Sequence, residues 1–240
     1  MRVSSQLAYI LHKRAFRESS QILEVFTRDH GRVCLMSRGS RSQKSRSSGV
    51  LQAYRPLLLG WQGRGDMPTL CEIDSAAIKP PALAGKALLS AVYLNELLMH
   101  LLHRHDVHQN LFGHYHDTLY ALAENPALEV VLRRFEKNLL DDIGFGLNLS
   151  HDADNGDVID ASAVYLFHLE HGPVRRVSAQ GAGSTPSITG AALIAFERDQ
   201  VLPAHAAEIK ALMRYVLQHH LGGRQLKSRE LFRAPLRPEE

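Results

Sequence analysis

The chain has 240 residues, 45% of them hydrophobic and 22% charged, with a formal net charge of +3. That length allows one large or two small domains with a real core, and the composition is that of an ordinary soluble globular protein. No apolar run reaches membrane-spanning length, and "MRVSSQLAYILHKR" lacks the long apolar segment and cleavage site of a secretory signal.

The cations are unevenly placed. Residues 1–80 hold 13 Lys/Arg against 6 Asp/Glu, whereas residues 81–240 hold 15 against 19. A basic third on a mildly acidic body fits a polyanion-binding module joined to something else. A merely solvated face would leave the same asymmetry.

In chain order, "QLAYILHK" (6–13) and "SQILEVFT" (20–27) read as strands, and "RDHG" as a turn with Gly31 at positive φ. "RVCLMS" alternates, with Val33 and Leu35 on one face and Arg32, Cys34 and Met36 on the other. "LQAYRPLLLGW" (51–61) resumes an extended run, with Pro56 near a sheet edge or bulge. "QGRGD" is a hairpin turn and "MPTLCEIDSAA" a closing strand. Five short strands at close spacing suit a small closed barrel of the OB-fold or SH3-like kind. "KPPALAG" breaks the pattern and marks a domain boundary near residue 80. Helices are expected over about 83–105, 109–123 and from Pro126 to 142, where Gly144 and Gly146 end the third. Residues 150–185 are non-helical. "AVYLFHLEHG" and "PVRRVSAQ" pair as a hairpin, and "SITGAALIAF" and "PAHAAEIKALMRYVLQHHL" are helical. The expected fold class is α+β: a five-stranded barrel of one of these two kinds over 1–80, then a mostly α-helical domain over 81–240.

An enzyme needs a constellation of reacting groups, and none stands out. There is no phosphate-binding GxxxxGK[ST] loop, and "QGAGSTPSITG" reads as a turn. "DADNGDVIDASA" starts like a calcium loop with Asp152 and Asp154. Its glycine arrives one place early, and Ala163 stands where a bidentate Glu is required, so a solvated acidic loop is expected. His100, His103, His105, His108, His114 and His116 crowd one helix–loop–helix region, but zinc needs three or four converging ligands. Cys34 and Cys71 lack CxxC spacing and fit reduced core thiols of a cytosolic protein.

The basic loop "SRGSRSQKSRSSG" (37–49) carries Arg38, Arg41, Lys44 and Arg46 with no acid and no large apolar side chain. Such a loop binds phosphates by counterion release. An OB-fold adds rings on which bases stack. Tyr9, Phe16, Phe26, Tyr54 and Trp61 lie in this region, most of them core and one or two facing a groove.

"EVFTRDHGRV", "SRGSRSQKS", "LQAYRPLLLGWQGRGDMPTL", "YLNELL" (93–98), "RRFEKNLLDDIGFGLN" (133–148) and "LGGRQLKSRELF" (221–232) follow one another in an order that resembles the RecO family of bacterial recombination mediators, in its proteobacterial branch. The resemblance spans nearly the whole chain. It implies an OB-fold followed by a helical domain and binding of single- and double-stranded DNA. It also implies annealing of complementary strands and, with RecR, loading of RecA onto DNA coated by the single-strand binding protein SSB, whose acidic C-terminal tail is recognised. No catalytic turnover, cofactor or membrane is implied, and the setting is the bacterial cytoplasm at the nucleoid. By position, Arg38, Arg41 and Lys44 match the family's basic loop and Arg46 extends it, while Gln43 stands where a cation is often found. Arg133 and Arg134 match a helix that could meet the SSB tail or make ordinary interdomain salt bridges. Lys227, Arg229 and Arg233 match a C-terminal motif that could add a second DNA or partner surface. Many members hold a four-cysteine zinc site, but residues 147–200 contain no cysteine, so no structural metal is expected. The rival readings are an OB-type RNA-binding protein and a metal-dependent hydrolase built on the histidines.

Overall fold

The computed structural model describes residues 2–41, 49–176 and 185–232. They form two compact units, one holding the residues up to Asn125 together with those from Leu226 onward, the other Pro126–Gln225. No helix among the described residues is long and apolar enough to cross a membrane.

The first unit is built on strands β1 (Arg2–Phe16), β2 (Ser20–Thr27), β3 (Gly31–Ser37), β4 (Leu57–Gln62) and β5 (Thr69–Ser75). They close into a barrel of order β1-β2-β3-β5-β4, in which β3 and β5 run parallel and the other paired neighbours antiparallel. This five-stranded closed barrel is an OB-fold, the one of the two barrel kinds left open by the strand spacing that the family resemblance implies. Ala8, Ile10, Leu23, Val25, Val33, Leu35, Leu57, Leu59 and Trp61 fill its interior. The alternation of "RVCLMS" thus places Val33 and Leu35 inward.

Two strands depart from their expected limits. β1 runs for 15 residues and pairs with β4 along its first half and β2 along its second. Register shifts between Val3 and Gln6 and between Ile10 and His12 interrupt its period of two. Such bulges bend a strand and hide its continuity from a reading by alternation. β4 begins at Leu57 rather than Leu51. Pro56 has no N–H to give a ladder, and Tyr54 sits at φ 63. Leu51 still reaches the barrel interior.

The outer face of β1, β2 and β3 is covered within the same unit by α1 (Gly85–Leu101) and α2 (Gln109–Glu124). Phe26 packs against Phe112 with ring centroids 5.3 Å apart, and Tyr9 against Tyr115 at 5.2 Å. The Asn95 amide donates to the Leu11 carbonyl at 2.9 Å and accepts from the Tyr115 hydroxyl at 2.6 Å. Leu11 is the residue at the second bulge, so Asn95 supplies a partner to a carbonyl in the disrupted ladder. Burial pushes the Tyr115 hydroxyl well above the ordinary tyrosine pKa.

α1 ends at Leu101, short of the expected residue 105, because the chain leaves the helix to pair with β3. The His105 N–H donates to the Arg32 carbonyl at 2.9 Å, beside a bridge between Arg32 and Arg104. Gly31, at φ 62, lies so close to this segment that a Cβ would stand 1.8 Å from the Asp106 carbonyl oxygen. The short helix α6 (Ser228–Leu231) returns to this unit.

The second unit holds α3 (Leu128–Asp142), β6 (Val164–His168), β7 (Gly172–Arg175), β8 (Ser187–Thr189), α4 (Gly190–Glu197) and α5 (Ala206–His220). α3 starts two residues beyond Pro126, and its end is turned by Gly144 at φ 85. The expected hairpin forms as β6–β7. "SIT" is not helical but adds a third strand to β6, giving the order β7-β6-β8. The Thr189 side chain then caps α4, accepting from the Ala192 N–H at 3.3 Å.

Candidate nucleic-acid interface

Several of the cations of the N-terminal third are already partnered. Arg2 pairs with Glu72 at 3.0 Å and Arg28 with Asp29 at 3.1 Å. Arg32 and Arg104 share Glu24 on the outer face of β2 and β3. Burial is the main reason the Arg32 guanidinium is held below its usual pKa, with Glu24 opposing and Arg104 adding to the shift.

Five further cations gather at one end of the barrel. Lys13, Arg14 and Arg17 are exposed where β1 turns into β2, and Arg38 and Arg41 are exposed where the chain leaves β3. The register explains the meeting. Arg14 lies opposite Ile22, Ile22 opposite Met36, and Met36 opposite Thr69, a row across four strands. Arg41 ties the two segments together. Its backbone N–H donates to the Ser19 carbonyl at 3.0 Å, and its guanidinium donates to the Arg17 and Glu18 carbonyls at 3.0 and 3.4 Å. Lys13 donates to the Leu51 carbonyl at 2.9 Å across the barrel mouth. Among the described residues, Arg14, Arg17 and Arg38 form no ion pair. Lys44, Arg46 and Arg233 lie outside the described residues. Sequence reading singled out the loop and missed Lys13, Arg14 and Arg17. Their signal is "HKRAFR", three cations flanking a turn, which register alone brings beside the loop.

The expected aromatic groove is only partly open. Tyr9 and Phe26 are fully buried under α1 and α2, and Trp61 is 4% exposed in the barrel interior. Phe16 is half-buried at the hairpin end, with the Arg17 guanidinium 5.2 Å from its ring centroid. Half-buried Tyr54 has its hydroxyl pushed up to about 12 by burial.

The other singled-out arginines lie in α3. Arg133 is 9% exposed and pairs with fully buried Glu136 at 2.7 Å. Arg134 is exposed and donates to the Asp199 carbonyl at 3.1 Å. Their neighbour Lys137 donates to the Phe196 and Glu197 carbonyls at the end of α4, each at 3.0 Å, and pairs with Asp199 at 2.6 Å. The partners found for Arg133, Arg134 and Lys137 lie within this one unit, so the motif around 133–148 braces its own unit, and the bonds seen for these arginines are not the interdomain salt bridges expected as the alternative.

The C-terminal motif is also anchored. The Glu96 carboxylate accepts from the Lys227 N–H at 2.8 Å, the Ser228 N–H at 2.9 Å and the Ser228 hydroxyl at 2.5 Å. "YLNELL" and "LKSRELF" are therefore partners, with Lys227 exposed and Arg229 half-buried beside the contact. Burial pushes the Glu96 carboxyl up, but the Ser228 and Lys227 hydrogen bonds and nearby His100 outweigh it and hold the pKa below the ordinary 4.5. A lowered folded-state pKa gives stability that is fully present above the unfolded value and lost as pH falls through the folded one. We expect the protection of the Ser228 amide against hydrogen exchange, taken relative to the intrinsic rate at each pH, to fall on acidification below the ordinary carboxylate range. Glu96→Gln should remove most of that acid dependence. An acid response unchanged in the variant would show that Glu96 does not hold the segment.

Three of the six histidines singled out have ordinary partners, His100 lying 4.0 Å from Glu96. His116 Nδ1 lies 2.6 Å from the Tyr9 hydroxyl, and His108 is 3.2 Å from Asp106. Among the described residues, no three His, Cys, Asp or Glu side chains converge as metal ligands. The acidic loop is not simply solvated, because Asp152 is 5% exposed. Its carboxylate accepts from the Asp154 and Arg175 N–H groups at 3.0 and 3.2 Å and so pins the loop to β7. Cys34 is buried as expected, but Cys71 is exposed on β5.

Residues 1–78 match the family model "Recombination protein O N terminal", and residues 83–230 match "Recombination protein O C terminal". The chain belongs to the RecO family. Among its RecO relatives, "DNA repair protein RecO" of Dechloromonas aromatica (strain RCB) is 42% identical over 236 residues, covering 97% of this chain and 96% of the relative. The protein of the same description from Nitrosococcus oceani is 42% identical over 232 residues, covering 96% and 93%. That from Ralstonia nicotianae is 40% identical over 231 residues, covering 96% and 84%. The RecO N-terminal match ends at residue 78, within the irregular stretch between β5 and α1.

Proposed function

We propose that this chain is a DNA-repair mediator that works by binding rather than by bond cleavage. It binds single- and double-stranded DNA, anneals complementary strands and, with RecR, promotes loading of RecA onto SSB-coated single strands. The observation that carries this reading is the cationic end of an OB barrel in a chain of the RecO family. Two like-charged strands repel, and a surface carrying Arg14, Arg17, Arg38 and Arg41, supplemented in sequence by the loop cations Lys44 and Arg46, screens that repulsion while the bases stay free to pair. We assign residues 1–80 to nucleic-acid binding and 81–240 to partner contacts, at the nucleoid of the cytoplasm. Exposed Arg134 is the better placed of the α3 pair to meet the acidic SSB tail, because Arg133 is buried against Glu136. Lys227, Arg229 and Arg233 offer a second DNA or partner surface.

The test is annealing of complementary strands precoated with SSB, with and without the SSB tail, in the absence of ATP. Tail-dependent acceleration is expected. Annealing of naked strands alone would remove the SSB recruitment step, and annealing of neither would overturn the function. Neutralising Arg38, Arg41 and Lys44 together should weaken binding to all sequences and lower the salt slope by about 0.7 per lost phosphate contact on single strands. An unchanged slope would remove this loop from the interface.

A further inference from the structure

The outer face of β1, β2 and β3 is divided. The part carrying Tyr9, Glu24 and Phe26 is closed by α1 and α2. At the hairpin end Ile22 is buried, but around it Arg14 and Arg38 are exposed and Phe16 and Met36 half-buried. Paired residues on neighbouring strands point to the same side. Arg14 therefore shares the outer side of Ile22 and Met36, and Phe16, two residues further along β1, lies on that side too. The strip holds an aromatic ring, a guanidinium over it and further cations within the same few residues, with Glu18 the one acid in the adjoining turn.

We propose that this strip is a base-stacking platform for single-stranded nucleic acid. The Phe16 ring with the Arg17 guanidinium receives a base, and Arg14 and Arg38 hold the flanking phosphates. The assignment rests on the nucleic-acid-binding reading above and deepens it. Every base has a π-face, so such a platform is tolerant of sequence, and a guanidinium plane stacks as a ring does. It also separates single from double strands, because paired bases within a duplex do not present their faces.

The test compares the full chain with its Phe16→Leu and Arg14→Gln variants, by fluorescence anisotropy. The probes are labelled oligo(dT), an abasic strand of equal length and a duplex. The intact protein should prefer oligo(dT) to the abasic strand by about tenfold. Phe16→Leu should abolish that preference while leaving abasic and duplex binding unchanged. Arg14→Gln should instead weaken both single strands and lower the salt slope by about 0.7. Leucine keeps the position apolar, and unchanged duplex binding reports that the fold is intact. A preference that survives in Phe16→Leu overturns the platform. Equal binding of oligo(dT) and the abasic strand by the intact protein also overturns it and leaves DNA binding standing. Binding of none of the probes would overturn both readings.

Discussion

Gly31→Ala should destabilise the barrel unit by about 3–5 kcal/mol, among the largest effects of any single methyl group in this chain. Two causes add. At φ 62 an alanine is strained. The new Cβ would also stand 1.8 Å from the Asp106 carbonyl oxygen, a backbone atom that cannot swing aside as a side-chain tip can. Relief requires moving segment 102–108 and breaking the bond from the His105 N–H to the Arg32 carbonyl. Urea unfolding of the variant reads the loss directly. Gly39, also at positive φ but with no described residue within 4 Å of an added Cβ, is the control, and Gly39→Ala should cost about 1 kcal/mol. Equal losses at the two glycines would show that backbone strain alone, and not the contact with Asp106, makes Gly31 necessary.

The barrel was legible because its signals are local. Gly31 marks a turn, and "RVCLMS" alternates over a single strand. The full length of β1 was not, since its bulges break the period on which the reading depends. The role of "YLNELL" was equally hidden. A helix period marks Leu94, Leu97 and Leu98 as core, but nothing local says that Asn95 meets a β-bulge or that Glu96 meets Ser228, 132 residues away. The candidate interface shows the same division. Four cations in a row without an acid are visible in one dimension. Arg14 and Arg17 join them only through the pairing of β1, β2 and β3. Buried partners likewise decide which cations are withdrawn from the surface, as Arg32 is by Glu24 and Arg133 by Glu136. Charge counts carry no trace of that.

Asn95 gives the second large effect. Asn95→Leu keeps the size of the side chain but removes the donor to the Leu11 carbonyl and the acceptor for the Tyr115 hydroxyl, both inside a region closed to water. A buried polar group that loses its partner costs about 1–3 kcal/mol, so the expected loss is about 2–4 kcal/mol. Tyr115→Phe alone should cost less, about 1 kcal/mol, because it removes one bond and leaves Asn95 bound to the bulge. The two effects should not add. Once a leucine side chain has replaced the acceptor, deleting the hydroxyl takes away a group with a weakened place in the core. The double variant should therefore be more stable than the sum of the single losses predicts, with a coupling of about 1 kcal/mol. Urea titrations of the four proteins complete the cycle. Strict additivity would mean that the 2.6 Å contact between Tyr115 and Asn95 contributes nothing to stability. The loss in Asn95→Leu would then belong to the Leu11 carbonyl alone, and the helix would hold the barrel through the bulge in β1 rather than through its tyrosine.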